Sequence, residues 1–196
     1  SKIFLFVSKP PAFAISFFNS ASRASLILTA ESLTTNNFSD FGNVIETAGK
    51  NSFKINNEMC TRFDNLAEIS FDIGVGKPII SIFRGKPYQL PIELNLMERH
   101  PLGSQAFIPI HKDPFLVIVA SDLNGRPDIP KIFITNGNQG VNIFKNTWHG
   151  VLTPVVEECD FLVVDRSGPT SNLEEFLFEK PIILNFNLNP GLIAPQ

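Results

Sequence analysis

The 196-residue chain is poor in charge: only 18% of it is Asp, Glu, Lys or Arg, and the formal net charge is −3. It has no run of lysine or arginine that could follow a phosphate backbone, so nucleic acid is not indicated as a partner. Its two cysteines, Cys60 and Cys159, lie far apart and form neither a CxxC pair nor a disulfide framework. They read as reduced thiols in a cytoplasmic protein. Glu157, Glu158 and Asp160 flank Cys159 and should raise its thiol pKa, which makes it a poor nucleophile. Only three histidines, His100, His111 and His149, are available for acid–base chemistry. A membrane-spanning helix is also missing, because the apolar N-terminal stretch is broken by Pro10-Pro11.

What is present suits one soluble domain with a real core, since 43% of the residues are hydrophobic. Residues 1–25 stand apart: they hold no acid, and they are rich in serine and phenylalanine. That composition suits an organelle transit peptide, a cleaved signal or upstream sequence, and the segment is set outside the core. From Leu26 a short strand is expected, then a short helix starting at Thr29–Glu31 and ending near Gly42. Apolar segments then alternate with turn signals. They are Pro78–Phe83, Ala106–Ile110, Phe115–Ala120, Lys131–Thr135, Gly140–Ile143, Phe161–Val164 and Ile182–Leu184, separated by stretches such as "GVGKP", "DLNGRPDIP" and "NGNQG". Short strands at this spacing predict an all-β sandwich or barrel. Leu173–Glu179 reads as a short C-terminal helix. The organisation expected is one domain over 26–185, with residues 186–196 as a tail.

Side chains alternate across a strand, and that parity nominates a polar cluster. Ile80, Ile82 and Arg84 share one face; if the isoleucines point inward, so does Arg84, which could hold a carboxylate bidentately. In "MERHPLGSQAFIPI", Glu98 and His100 share a face and Arg99 takes the other. Pro101-Leu102-Gly103 turns the chain, so that Gln105 can rejoin them. In "GVNIFKNTWHG", parity with Val141, Ile143 and Val151 points His149 inward, beside the single tryptophan, Trp148. His111, in the turn "HKDP", reads as a surface residue.

The two clusters resemble the halves of a cupin motif, with Glu98, His100 and Gln105 in the first and His149 in the second. The segments "FGNVIET", "INNEM", "MERHPLGSQAFIP", "FITNGNQGVN", "NTWHG" and "FLVVDRSG" more closely resemble the ureidoglycolate lyase family, from Leu26 to the mid-170s. That resemblance implies a cupin-type double-stranded β-helix or jelly-roll barrel with a few short helices. It implies a homodimer that releases urea and glyoxylate from ureidoglycolate in allantoin and purine catabolism. The chain departs from the family in having Gly150 where a second histidine is common, and Ile143 where tyrosine is common.

The expected roles follow from the reaction. His100 is the base or a metal ligand, Glu98 orients it, and His149 is the proton donor or a second ligand. Gln105 bonds the hydroxyl or the ureido group. Arg84 is the first choice to hold the substrate carboxylate and Arg99 the second. Asn57 and Trp148 are candidates for the pocket wall. Arg166 is expected to pair with Asp165 or with an adjacent subunit. Glu98, His100, His149 and Gln105 leave two cofactor readings: a loosely held divalent ion of the nickel or manganese kind, or no metal. Two other functions compete, a different metal-dependent cupin enzyme and a non-catalytic cupin that binds a small carboxylate.

Overall fold

The computed structural model describes residues 28–71 and 76–184. The targeting reading of residues 1–25 and the tail at 186–196 lie outside the described residues. Fourteen strands follow in chain order: β1 (Glu31–Ser32), β2 (Gly42–Ile45), β3 (Ser52–Ile55), β4 (Cys60–Phe63), β5 (Lys77–Gly85), β6 (Ile92–Arg99), β7 (Gln105–Pro109), β8 (Phe115–Ala120), β9 (Lys131–Ile134), β10 (Gly140–Ile143), β11 (Trp148–His149), β12 (Thr153–Pro154), β13 (Cys159–Ser167) and β14 (Glu174–Leu184). They form a seven-stranded sheet in the order β1-β9-β8-β11-β6-β14, with β12 also paired to β8. A five-stranded sheet, β2-β10-β7-β13-β5, faces it, and β3 and β4 make a separate hairpin. The protein is all-β with a cupin-type arrangement of two opposed sheets. No helix among the described residues is long and apolar enough to cross a membrane.

The sheets meet through one core. Phe115, Val117, Val119 and Phe133 of the larger sheet pack with Val44, Phe107, Val141, Ile143, Phe161 and Val163 of the smaller. The Phe115 and Phe161 rings meet edge-to-face at 4.9 Å. A second apolar cluster covers the other face of the seven-stranded sheet, with Leu116, Ile118, Ala120, Ile132, Ile134 and Trp148 among its members. Strand β8 feeds both clusters, and all six of its residues are buried. A strand buried on both faces is written as a continuous apolar run, which "FLVIVA" is.

Both expected helices are absent. Glu31–Ser32 is a strand, and residues 35–41 are a chain of turns. Thr34 and Asn37 do form a reciprocal helix-start cap, each accepting from the other's backbone N–H, at 2.9 and 3.2 Å. The turns do not extend into a helix, and Phe38 and Phe41 plunge into the core. The segment read as a C-terminal helix lies in strand β14, paired to β6. Phe176 and Phe178, two positions apart, stack on one face with ring centroids 5.3 Å apart. Pro181 falls in the register shift between Leu177 and Ile182 on this edge strand, a position where a missing N–H is tolerated.

Candidate functional site

Strand pairing carries the "MERHP" and "NTWHG" segments to one place. His149 lies directly opposite Glu98 in the β11–β6 pairing, and Val119 flanks His149 on its other side. His100 follows two positions after Glu98, and its ring centroid lies 5.2 Å from that of His149. One ligand atom each from Glu98, His100 and His149 can be drawn so that all lie within 4.8 Å of one another. Gln105 is buried on β7, opposite Ile143 of β10. Glu98 and Gln105 both line an open pocket of about 680 Å³, whose other walls include Phe83, Phe107, Tyr88 and Leu152. That volume lies within the usual range for a small-molecule site.

The hydrogen bonds settle both tautomers. The Asn172 carbonyl accepts from His100 Nδ1 at 2.6 Å, and the Gly150 carbonyl accepts from His149 Nδ1 at 3.0 Å. A carbonyl can only accept, so each Nδ1 carries a proton, and in a neutral ring the lone pair then sits on Nε2. These Nε2 atoms are buried and find no partner among the described residues. His149 is 1% exposed. Burial, aided by repulsion from His100, pushes its pKa down to about 4, so the ring is neutral near pH 7. Burial likewise holds the Glu98 carboxyl above its ordinary pKa, with His100 opposing.

These features revise two expected roles. Asn172, and not Glu98, orients His100; its side chain also accepts from the Leu102 N–H at 2.7 Å, pinning the Pro101–Gly103 turn. His149 lacks a proton to spare at neutral pH, because its one N–H serves Gly150. That favours a ligand or acceptor role for its Nε2 over proton donation. The unpartnered Nε2 atoms and the adjacent carboxylate fit a divalent metal with borderline nitrogen and oxygen preferences.

The expected substrate-binding residues fare less well. Ile80 and Ile82 are 71% and 56% exposed, so the parity of β5 is opposite to the one expected. Arg84 shares their outward face and binds Asp160, its cross-strand neighbour, with two bonds of 2.7 and 2.9 Å. It borders the pocket mouth but does not enter the interior. Arg99 lies on the far side of β6. There it donates to Glu174 and Asp122 at 2.7 and 2.8 Å and stacks on Trp148 at 4.5 Å. Trp148 is buried on that same far side, and its Nε1 donates to Asp122 at 2.8 Å, so it is no part of the pocket wall. Asn57 is exposed in the β3–β4 turn, where Asn56, Asn57 and Glu58 all have positive φ. A short side chain that tolerates this region suits a turn, not a pocket. His111 is half-buried, with its ring centroid 4.8 Å from that of Phe161, and is not a free surface group. Arg166 bonds the Thr170 carbonyl and hydroxyl and points to the face opposite Asp165.

Asp165 is an inward residue that the sequence reading passed over. It shares parity with the buried Phe161 and Val163 and falls beside Gln105 in the β13–β7 register. Burial raises its carboxyl pKa, with Gln105 and His100 opposing. The dipeptide Asp165-Arg166 reads as a salt pair in one dimension, which hid it; Asn172 gave no local signal.

Of the two departures, Gly150 turns its side-chain position away from the pocket, although its carbonyl holds His149. A Cβ added there would lie 3.1 Å from the Ile118 Cβ, on the outer face of the sheet. Ile143, in contrast, is the cross-strand neighbour of Gln105.

The sequence model of the family described as Ureidoglycolate lyase matches residues 25–185. The Ureidoglycolate lyase of Chelativorans sp. (strain BNC1) is 54% identical over 154 residues, covering 79% of this chain and 93% of that one. The Ureidoglycolate lyase of Mesorhizobium japonicum is 48% identical over 151 residues, covering 77% and 93%. Ureidoglycolate lyase 2 of Rhizobium meliloti is 47% identical over 149 residues, covering 76% and 91%. Together with the cluster of Glu98, His100 and the buried His149, of which Glu98 lines an open pocket, these matches place the chain in the ureidoglycolate lyase family.

Proposed function

We propose that the protein is a ureidoglycolate lyase, releasing urea and glyoxylate from ureidoglycolate in allantoin and purine catabolism. The carrying observation is the pair of buried, unpartnered Nε2 atoms of His100 and His149 beside the Glu98 carboxyl. The family match over 25–185 supports reading residues 26–185 as the catalytic unit.

The substrate is a carbinolamine that bears a carboxylate. His100 Nε2 accepts the hydroxyl proton as the C–N bond breaks, and the bonding pair leaves with nitrogen. Glu98, whose burial favours the protonated form, returns a proton to the departing nitrogen. The two groups are then reset by proton exchange between neighbours. A divalent ion of the nickel or manganese kind would be held by Glu98, His100 and His149, where it would polarise the substrate hydroxyl. His100 cannot be base and ligand at once, so dependence on metal decides its role. At the pocket mouth Lys86 stands beside Arg84 and is the better-placed cation for the substrate carboxylate, because the Arg84 guanidinium is engaged by Asp160. Positioning plus one acid–base pair supplies several powers of ten in rate.

A homodimer accompanies this reading. Ile80 and Ile82 form an apolar stripe on β5, the edge of the five-stranded sheet, and a symmetric partner would cover it. The two free cysteines suit a cytoplasmic setting.

The test is glyoxylate release from racemic ureidoglycolate, with and without a chelator. Activity that survives the chelator supports His100 as the base, and activity abolished by it and restored by added nickel or manganese supports the ligand role. No release under any of these conditions contradicts the lyase reading.

A further inference from the structure

Asp165 and Gln105 form a pair that the lyase chemistry above does not use. Val163 and Val164 of β13 lie opposite Phe107 and Ala106 of β7, so the next step in that register sets Asp165 beside Gln105. The Gln105 side chain helps to hold the Asp165 carboxyl in its charged form, against the effect of burial. Two of the pair's oxygens, Gln105 Oε1 and Asp165 Oδ1, are buried and have no partner among the described residues. Each can only accept a hydrogen bond. Gln105 lines the pocket, and His100 lies close enough to influence the Asp165 carboxyl.

A buried acceptor without a donor loses its hydration with nothing in return, so two side by side call for a ligand that brings N–H groups. Backbone donors are not at hand, because the neighbouring strands spend theirs on the β7–β10 and β7–β13 ladders. We propose that Asp165, beside Gln105 in the strand register, is a substrate-binding residue whose Oδ1 and the Gln105 Oε1 together accept the terminal –NH₂ of the ureido group. The pair thereby selects a ureido leaving group over an amide of the same shape. This inference rests on the lyase reading.

The consequence is a bookkeeping of donors. Replacing Asp165 with asparagine keeps the shape, removes the charge and puts an N–H₂ donor in place of one carboxylate oxygen. An –NH₂ group then meets one acceptor and one competing donor.

The experiment compares two substrates that release the same glyoxylate: ureidoglycolate, and its analogue 2-acetamido-2-hydroxyacetate, in which methyl replaces the terminal amine. Rates are taken relative to the spontaneous reaction of each. The wild-type protein is expected to prefer the ureido compound by about 10–100-fold in kcat/KM. D165N is expected to keep its fold and lose most of that preference, through a raised KM for the ureido compound and little change for the acetamido one. A wild type without preference, or a D165N with the preference intact, overturns the proposal. If D165N fails to fold, the wild-type ratio alone decides. If wild type releases glyoxylate from neither compound, the lyase reading falls and calorimetry of urea against acetamide decides the pair. Tighter urea binding in wild type that is lost in D165N supports the acceptor pair, and equal binding of the two overturns it.

Discussion

The two faces of the β6–β11 ribbon differ in how completely their polar groups are satisfied. On the outer face Arg99 bonds two carboxylates and stacks on Trp148, and the Trp148 N–H reaches the same Asp122. Asp122 also accepts from the Gly125 and Trp148 N–H groups, which holds its carboxyl below the ordinary range. On the inner face, one residue along in each strand, the Nε2 atoms of His100 and His149 meet no partner among the described residues, and the Glu98 carboxyl stands beside them. Alternation alone sorts the dipeptides Glu98-Arg99 and Trp148-His149 into these two sets. The satisfied set is built for stability; the unsatisfied set stores free energy that a ligand releases.

Substitutions on opposite faces should therefore separate stability from activity. The largest stability effect expected is from Trp148→Ala on the outer face, at about 3–5 kcal/mol. Chemical denaturation reads it, and glyoxylate release per folded molecule should stay within a few-fold of wild type. Acid should act through the inner face. His149 has an unfolded pKa of about 6.5 and a folded value pushed down to about 4, so the native state binds fewer protons between them. The stability linked to this ring is complete above pH 6.5 and is lost as pH falls toward 4, by about 3 kcal/mol. Denaturation midpoints from pH 7 to pH 4 in wild type and His149→Gln measure it, and the variant should show the shallower decline.

Gly150→His sharpens the comparison further, since it adds the side chain common in the family. Its Cβ would press on Ile118, outside the pocket, so about 1–3 kcal/mol of stability should go while KM stays put. A large change in KM would mean that position 150 reaches the pocket after all. The smallest effect concerns Cys159, which shows that facing inward is not enough for reactivity. Burial first, and then Asp113 and the neighbouring acids, push its thiol up to about 11, as the flanking acids led one to expect. At pH 8 only about one thiol in a thousand is ionised. Iodoacetamide at that pH should label the exposed Cys60 and spare Cys159 in the folded protein.

Much of this was legible in one dimension, for identifiable reasons. "FLVIVA" and "GVNI" read as strands because apolar runs bounded by turn residues are short and unambiguous, and β8 and β10 carry those bounds. Glu98, His100, Gln105 and His149 converge as parity and the family resemblance implied. Parity failed on β5 because both of its faces are apolar: Ile79 and Phe83 on one, Ile80 and Ile82 on the other. The alternation says which residues share a face but not which face is inside, and Arg84 went the wrong way with its neighbours. Asn172 and Asp165 act across the fold, through contacts that only the β13–β7 pairing and the 168–173 loop create. Phe38 and Phe176 were read as helical because short apolar segments carry no clear period.

The most direct test sets His100→Ala beside Arg99→Met, each measured for kcat of glyoxylate release and for thermal midpoint. His100→Ala should lower kcat by about 10²–10⁴-fold with the midpoint nearly unchanged. Arg99→Met should lose about 1 kcal/mol of stability, since its partner carboxylates are wet, and keep kcat within a few-fold. A His100→Ala protein with wild-type kcat, or a folded Arg99→Met protein without activity, would contradict the division of the ribbon into a catalytic face and a structural one.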